Sequence, residues 1–168
     1  GVKKGDRVFF FLPRIPIAFF GFLGTLKTGA IGGNLFAAFG ADALKERLLN
    51  ADAKILVTNS ELLPRFREIE KDLPAVTVIL AEDMENKICN ESEEFNIVPM
   101  DESDPAFMLF TSSTGNTPVC GIVISHGAIF QQLQTARWVL DLKSDDIYWC
   151  TADPGWVTGT VYGILAPF

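Results

Sequence analysis

Residues 110–121, FTSSTGNTPVCG, bring together groups that could do chemistry. Thr111, Ser112, Ser113 and Thr114 supply four consecutive hydroxyls. Gly115 lets the backbone turn with positive φ and come close to a ligand. Backbone N–H groups in such a turn can form an anion-binding nest. An apolar run, Ala106 to Phe110, leads in, and another, Ile122 to Ile124, leads out. A phosphate-cradling loop between two strands has this layout, although spacing alone favours an ordinary strand-to-strand connection. Neither GxxxxGK[ST] nor GxGxxG is present. Charge also counts against tight phosphate binding. No lysine or arginine lies between Ile88 and Ala136, and six acids fall between Glu91 and Asp104. A triphosphate here would depend on amides, hydroxyls, Mg²⁺ and cations from elsewhere in the fold.

A second stretch, DPGWVTG at 153–159, places Trp156, Val157, Thr158 and Gly159 after a proline-glycine turn. On its residues alone it reads equally as a tight turn carrying a core aromatic. Asp153 reads first as the turn former. His126, the chain's single histidine, stands at a helix start with its ring expected half exposed, or else near the phosphate site. With one histidine and no paired nucleophile there is no hydrolase triad and no zinc-ligand set. No catalytic residue and no metal ligand is assigned.

The surrounding elements read as α/β. DRVFFFLP (6–13) is a buried strand, and 14–29 is a helix apolar nearly all round, expected to be covered on both faces. AIGGNLF (30–36) is a second strand. Residues 40–53 form a helix with Leu44, Leu48 and Leu49 at helical spacing and Asp42 in its first turn. KILVT (54–58) is a strand. Residues 60–73 form a helix capped by Ser60, with Pro64 an obstacle inside it. AVTVILA (75–81) is a strand, and 82–105 is an exposed acidic connection. A second block follows: strands at 105–112 and 121–125, then a helix at 126–140 with Ile129, Leu133, Ala136 and Leu140 on one face. A strand at 146–153 ends in the Asp153-Pro154-Gly155 turn, and a helical apolar segment closes the chain. The alternation predicts parallel-sheet layers covered by helices. The expected organisation is an α/β subdomain over 1–100 and the start of a second over 101–168.

The 168 residues suffice for a sizeable core, and 48% hydrophobic with 21% charged residues fits a globular chain. A net charge of −7 gives no basic footprint for nucleic acid or anionic lipid. The three cysteines, odd in number and widely spaced, read as reduced thiols of a cytoplasmic protein. Residues 15–41 carry Lys27 as their one charge, but that lysine, Pro16 and several glycines break the run too finely for a membrane span. A start on glycine and an uncapped apolar end, VYGILAPF, read as a fragment of a longer chain.

FMLFTSSTGNTPVCGIVISH resembles the phosphate-loop signature of the AMP-forming acyl-CoA synthetases, Y/F-T-S-G-S/T-T-G-x-P-K-G. DIYWCTADPGWVTGTVYGILAPF resembles the acetate-type branch of that adenylate-forming superfamily, and the likeness runs from about Gly5 to Phe168. It implies a partial N-terminal domain of the synthetase fold, without the C-terminal domain. It implies ATP with Mg²⁺, a short-chain carboxylate and CoA as ligands. Thr111, Ser112, Ser113, Thr114 and Gly115 would contact ATP phosphates, and Trp156, Val157, Thr158 and Gly159 would form the acyl pocket. A fragment of this kind is expected to be inactive alone and to self-associate through its truncated edge. The loop departs from the signature: no glycine stands between Ser112 and Ser113, and Val119-Cys120 replaces the lysine before Gly121. The alternative is therefore a non-catalytic nucleotide-binding α/β remnant with a degraded phosphate loop.

Overall fold

Apolar runs too short for helices and too continuous for a half-exposed sheet become central strands. Val8, Phe9, Phe10 and Phe11 are all buried in β1 (Arg7–Phe11). The structure, a computed structural model, describes residues 1–111 and 119–168. β1 lies between β2 (Ile31–Leu35) and β3 (Ile55–Thr58), and β4 (Thr77–Leu80) lies outside β3. On the other side β2 is followed by β5 (Pro105–Phe110) and β6 (Gly121–Ser125), giving one sheet in the order β4-β3-β1-β2-β5-β6. All pairs are parallel except β5 with β6, which form an antiparallel hairpin.

Alternation along β1 divides the core. Val8 and Phe10 point to the face covered by α1 (Pro16–Lys27), with Phe22 and Leu26 packed there and Ile164 and Leu165 from the chain's end. Phe9 and Phe11 point to the opposite face, where α2 (Ala41–Asn50) contributes Leu44 and Leu48 and α3 (Leu63–Arg67) contributes Phe66. The expected covered parallel sheet is what forms.

Several local expectations are corrected. Among the described residues α1 is covered on one face: Ile17, Ala18, Phe22 and Leu26 are buried, and Phe20 on the other side is exposed. Leu49 is also exposed, one residue past the face that buries Leu44 and Leu48. The helix expected over 60–73 splits. Pro64 has no N–H to give and is accommodated only in the first turn of α3, and a separate 3₁₀ turn follows at Glu70–Asp72. Ser60 does not cap it; Asn59 Oδ1 accepts the Leu62 N–H at 2.9 Å instead. The acidic connection begins with α4 (Ala81–Ile88), whose first turn carries Glu82 and Asp83, favourable at a helix N-terminus. Residues 126–140 start as α5 (His126–Thr135) and continue as a π-helical turn, Ala136–Leu140. Residues 146–153 form no strand, while α6 (Val157–Thr160) and a π turn, Val161–Leu165, confirm a helical close.

Candidate nucleotide and acyl site

In parallel α/β sheets ligands gather in the crevice outside the carboxyl ends of the strands. Thr111 and the second candidate stretch lie at that edge. Thr111 follows the end of β5 and is exposed. Its N–H donates to the Cys120 carbonyl at 3.4 Å, which closes the base of the loop. Ser112, Ser113, Thr114 and Gly115 lie outside the described residues. The return limb is met by α2: Val119 N–H donates to Glu46 Oε1 at 3.2 Å, and Gly121 N–H to Asn50 Oδ1 at 3.1 Å.

The second stretch reaches the same edge from β2. A Cβ on Gly155 would stand 2.6 Å from the backbone nitrogen of Phe36, the residue after β2, so the 153–155 turn sits against that strand's end. Asp153 does form the turn: its Oδ1 accepts the Gly155 N–H at 2.8 Å, and its carbonyl accepts the Trp156 N–H at 2.9 Å. Trp156, Val157 and Thr158 are exposed on the first turn of α6, whereas Gly159 is buried. A Cβ on Gly159 would overlap the Asp153 carbonyl, so this glycine is required by close approach. Arg14, just beyond β1, donates from Nη1 to the Thr151 carbonyl at 2.7 Å and ties 146–153 to the same edge.

An open cleft of about 1220 Å³ runs beside these elements, lined by Arg14, His126, Arg137, Tyr148, Cys150 and Gly159 among others. Cys150 Sγ donates to the Thr158 carbonyl at 3.9 Å. Burial raises the Tyr148 hydroxyl above its ordinary pKa, and the neighbouring Cys150 adds to this. His126 is half-buried at the start of α5, as expected. Burial holds its imidazole below the ordinary value, against the opposing pull of the Asp104 carboxylate. Arg65 donates from Nη1 to the carbonyls of Ala37 and Phe39 at 2.5 and 3.0 Å and is thereby spent on the chain itself. Among the described residues no group of three or more His, Cys, Asp or Glu side chains is placed to hold a metal ion. None of their helices is long and apolar enough to cross a membrane.

Glu46, Asn50 and Arg14 were not singled out by the sequence. Their partners lie far along the chain, and no local pattern announces such contacts.

A helix-covered, mostly parallel sheet with Thr111 and the 153–159 turn at its carboxyl edge is the arrangement set against known proteins. The family model for the AMP-binding enzymes matches residues 1–168, and this chain belongs to that family. It is 49% identical to the acetyl-coenzyme A synthetase of Bacillus subtilis over 99% of its own length and 31% of that protein's. It is 35% identical to the acetyl-coenzyme A synthetase of Wolinella succinogenes, over 99% of this chain and 29% of that one. Among solved structures, an acyl-CoA synthetase from Brucella canis superposes with a TM-score of 0.87 at 32% identity, over 99% of this chain and 32% of that one. The chain therefore spans about a third of the length of the relatives it matches.

Proposed function

We propose that these residues form the part of an acetate-type, AMP-forming acyl-CoA synthetase that carries the phosphate loop and one wall of the acyl pocket. The observation that supports the reading is that Thr111, beyond β5, and the 153–159 turn, against the end of β2, both lie at the carboxyl edge of the sheet. In the reaction a carboxylate oxygen attacks the α-phosphorus of ATP. A P–O bond forms to the acyl group, and the bond to the β-phosphate's bridging oxygen breaks to release pyrophosphate. The CoA thiol, giving up its proton, then attacks the acyl carbon and AMP departs. Positioning and charge neutralisation dominate the first step.

Thr111, Ser112, Ser113, Thr114 and Gly115 hold the β- and γ-phosphates through hydroxyls and amides. Mg²⁺ accompanies the nucleotide phosphates, and no step is assigned to it on these residues. Val157 and Thr158, with Trp156 and Gly159 beside them, limit the acyl chain. β-branched side chains leave little volume, and one methylene in such a pocket is worth about 1–3 kcal/mol of discrimination. We place the enzyme in the cytoplasm, where ATP and CoA are available and thiols such as Cys120 and Cys150 stay reduced.

Isothermal titration of the chain with Mg·ATP tests the loop. Micromolar binding lost in a Ser113→Ala/Gly115→Val double variant is the expected result. Binding unaffected by those substitutions would turn the reading toward the nucleotide-binding remnant with a degraded loop, and no binding at all would remove the phosphate role from the loop of this chain.

A further inference from the structure

The return limb of the loop carries an anchorage unrelated to the phosphate signature. Cys120 turns its carbonyl toward β5, where it accepts the Thr111 N–H. In an extended limb the N–H groups of Val119 and Gly121 then point the other way. Left there, they would face solvent or an apolar surface. Instead α2 supplies one acceptor for each: Glu46 Oε1 for Val119 at 3.2 Å and Asn50 Oδ1 for Gly121 at 3.1 Å. Glu46 and Asn50 are four residues apart, so they stand one above the other on one helix face.

The contact is close as well as polar. A Cβ on Gly121 would stand 2.7 Å from Met108 Sδ and 3.0 Å from Asn50 Oδ1, so any side chain here would force Met108 to shift and crowd the Asn50 acceptor. The Val119 side chain is buried. Between the two acceptors Arg47 is buried too, its guanidinium 4.0 Å above the Phe39 ring and 5.8 Å from that of Phe110, the last residue of β5. That stack packs α2 against the end of β5.

We propose that Glu46 and Asn50 are positioning residues that clamp the return limb of the 111–120 loop to α2. They fix where the loop re-enters the sheet at Gly121. The consequence for phosphate binding rests on the phosphate-loop reading above; the clamp itself does not. The acceptor oxygens carry the clamp, not the charge of Glu46, so Glu46→Gln and Asn50→Asp preserve it and the alanine variants remove it.

Amide hydrogen exchange on this chain, resolved by NMR, tests the clamp, with the core strand amides of Phe9 and Leu56 as controls. The Glu46→Ala/Asn50→Ala double variant is expected to exchange Val119 and Gly121 at least about fivefold faster, the scale of one lost hydrogen bond. The controls stay unchanged, and the Gln and Asp variants match the parent chain. Should the double variant fail to fold, each single alanine variant speeds its own amide alone. Unchanged exchange at Val119 and Gly121, or an equal rise at Phe9 and Leu56, overturns the proposal. A parallel titration with inorganic pyrophosphate separates the two readings. Weaker binding in the double variant joins the clamp to the phosphate site. Absence of binding in the parent chain counts against the phosphate loop while exchange still decides the clamp.

Discussion

His126 Nε2 is buried with no hydrogen-bond partner among the described residues, while its backbone N–H donates to the Asp104 carbonyl at 3.0 Å. Burial disfavours the imidazolium, so the folded-state pKa lies below the ordinary 6.5. The unfolded chain then binds the proton more tightly. The stability contributed by neutral His126 is complete above that ordinary value and is lost as pH falls through it toward the folded value. Asp104 is depressed by its hydrogen bond from Lys4 and by the Asp101 N–H, so its contribution is lost only at lower pH, below the ordinary 3.8. Thermal unfolding followed across this range is expected to show a loss of stability just below pH 6.5 that disappears in His126→Asn. A His126→Asn profile parallel to that of the parent chain would contradict this. At this scale the sequence was legible where function is spelled by neighbours: Asp153 as turn former and His126 as a half-buried helix start both stand as read. It was silent on Glu46 and Asn50, whose partners are 73 and 71 residues away.

Among elements, β1, β3 and β4 were legible because short continuous runs rich in β-branched or aromatic residues and bounded by turns have few alternatives. The failures have separate causes. In 60–73 a single proline decided where helix could begin. Residues 146–153 have strand composition, yet they pair with no strand among the described residues, and Ile147 and Trp149 are exposed. A β pattern states what fits a sheet, not that a sheet edge is within reach. The turn that follows is better specified. Asp153 caps it, the Thr160 hydroxyl donates to the Pro154 carbonyl, and Gly159 leaves no room for a side chain beside the Asp153 carbonyl. Because the obstacle is backbone, it cannot move aside as a side-chain tip would. Gly159→Ala is expected to lower stability by about 1–3 kcal/mol, the usual cost of overpacking. Urea denaturation measures it, and a variant as stable as the parent chain would show that the turn yields.

For the molecule as a whole, alternation of strand and helix conveyed the covered parallel sheet. The strand order was not legible, because β5 returns beside β2 across the elements between them and no local signal encodes that pairing. The order leaves β6 outermost among the described strands, with Ile122 and Val123 47% and 48% exposed. An edge strand of this kind offers a row of unpaired backbone groups to another chain unless charge, proline or a bulge blunts it. β6, GIVIS, holds neither a charged residue nor a proline. Trp138 and Val139 add exposed apolar surface on the following helical segment. The chain's net charge of −7 opposes association only over a screening distance of about 8 Å at physiological ionic strength, too short to guard an apolar edge once chains meet. The isolated chain is therefore expected to associate as its concentration rises, with β6 as the contact. Ile122→Lys should suppress this, because a lysine on an edge strand would be desolvated by a second strand laid against it. Sedimentation velocity over a concentration series decides the matter. A single monomeric species throughout would remove the edge as a liability. Association equally strong in Ile122→Lys would move the contact away from β6, to the exposed aromatic surface.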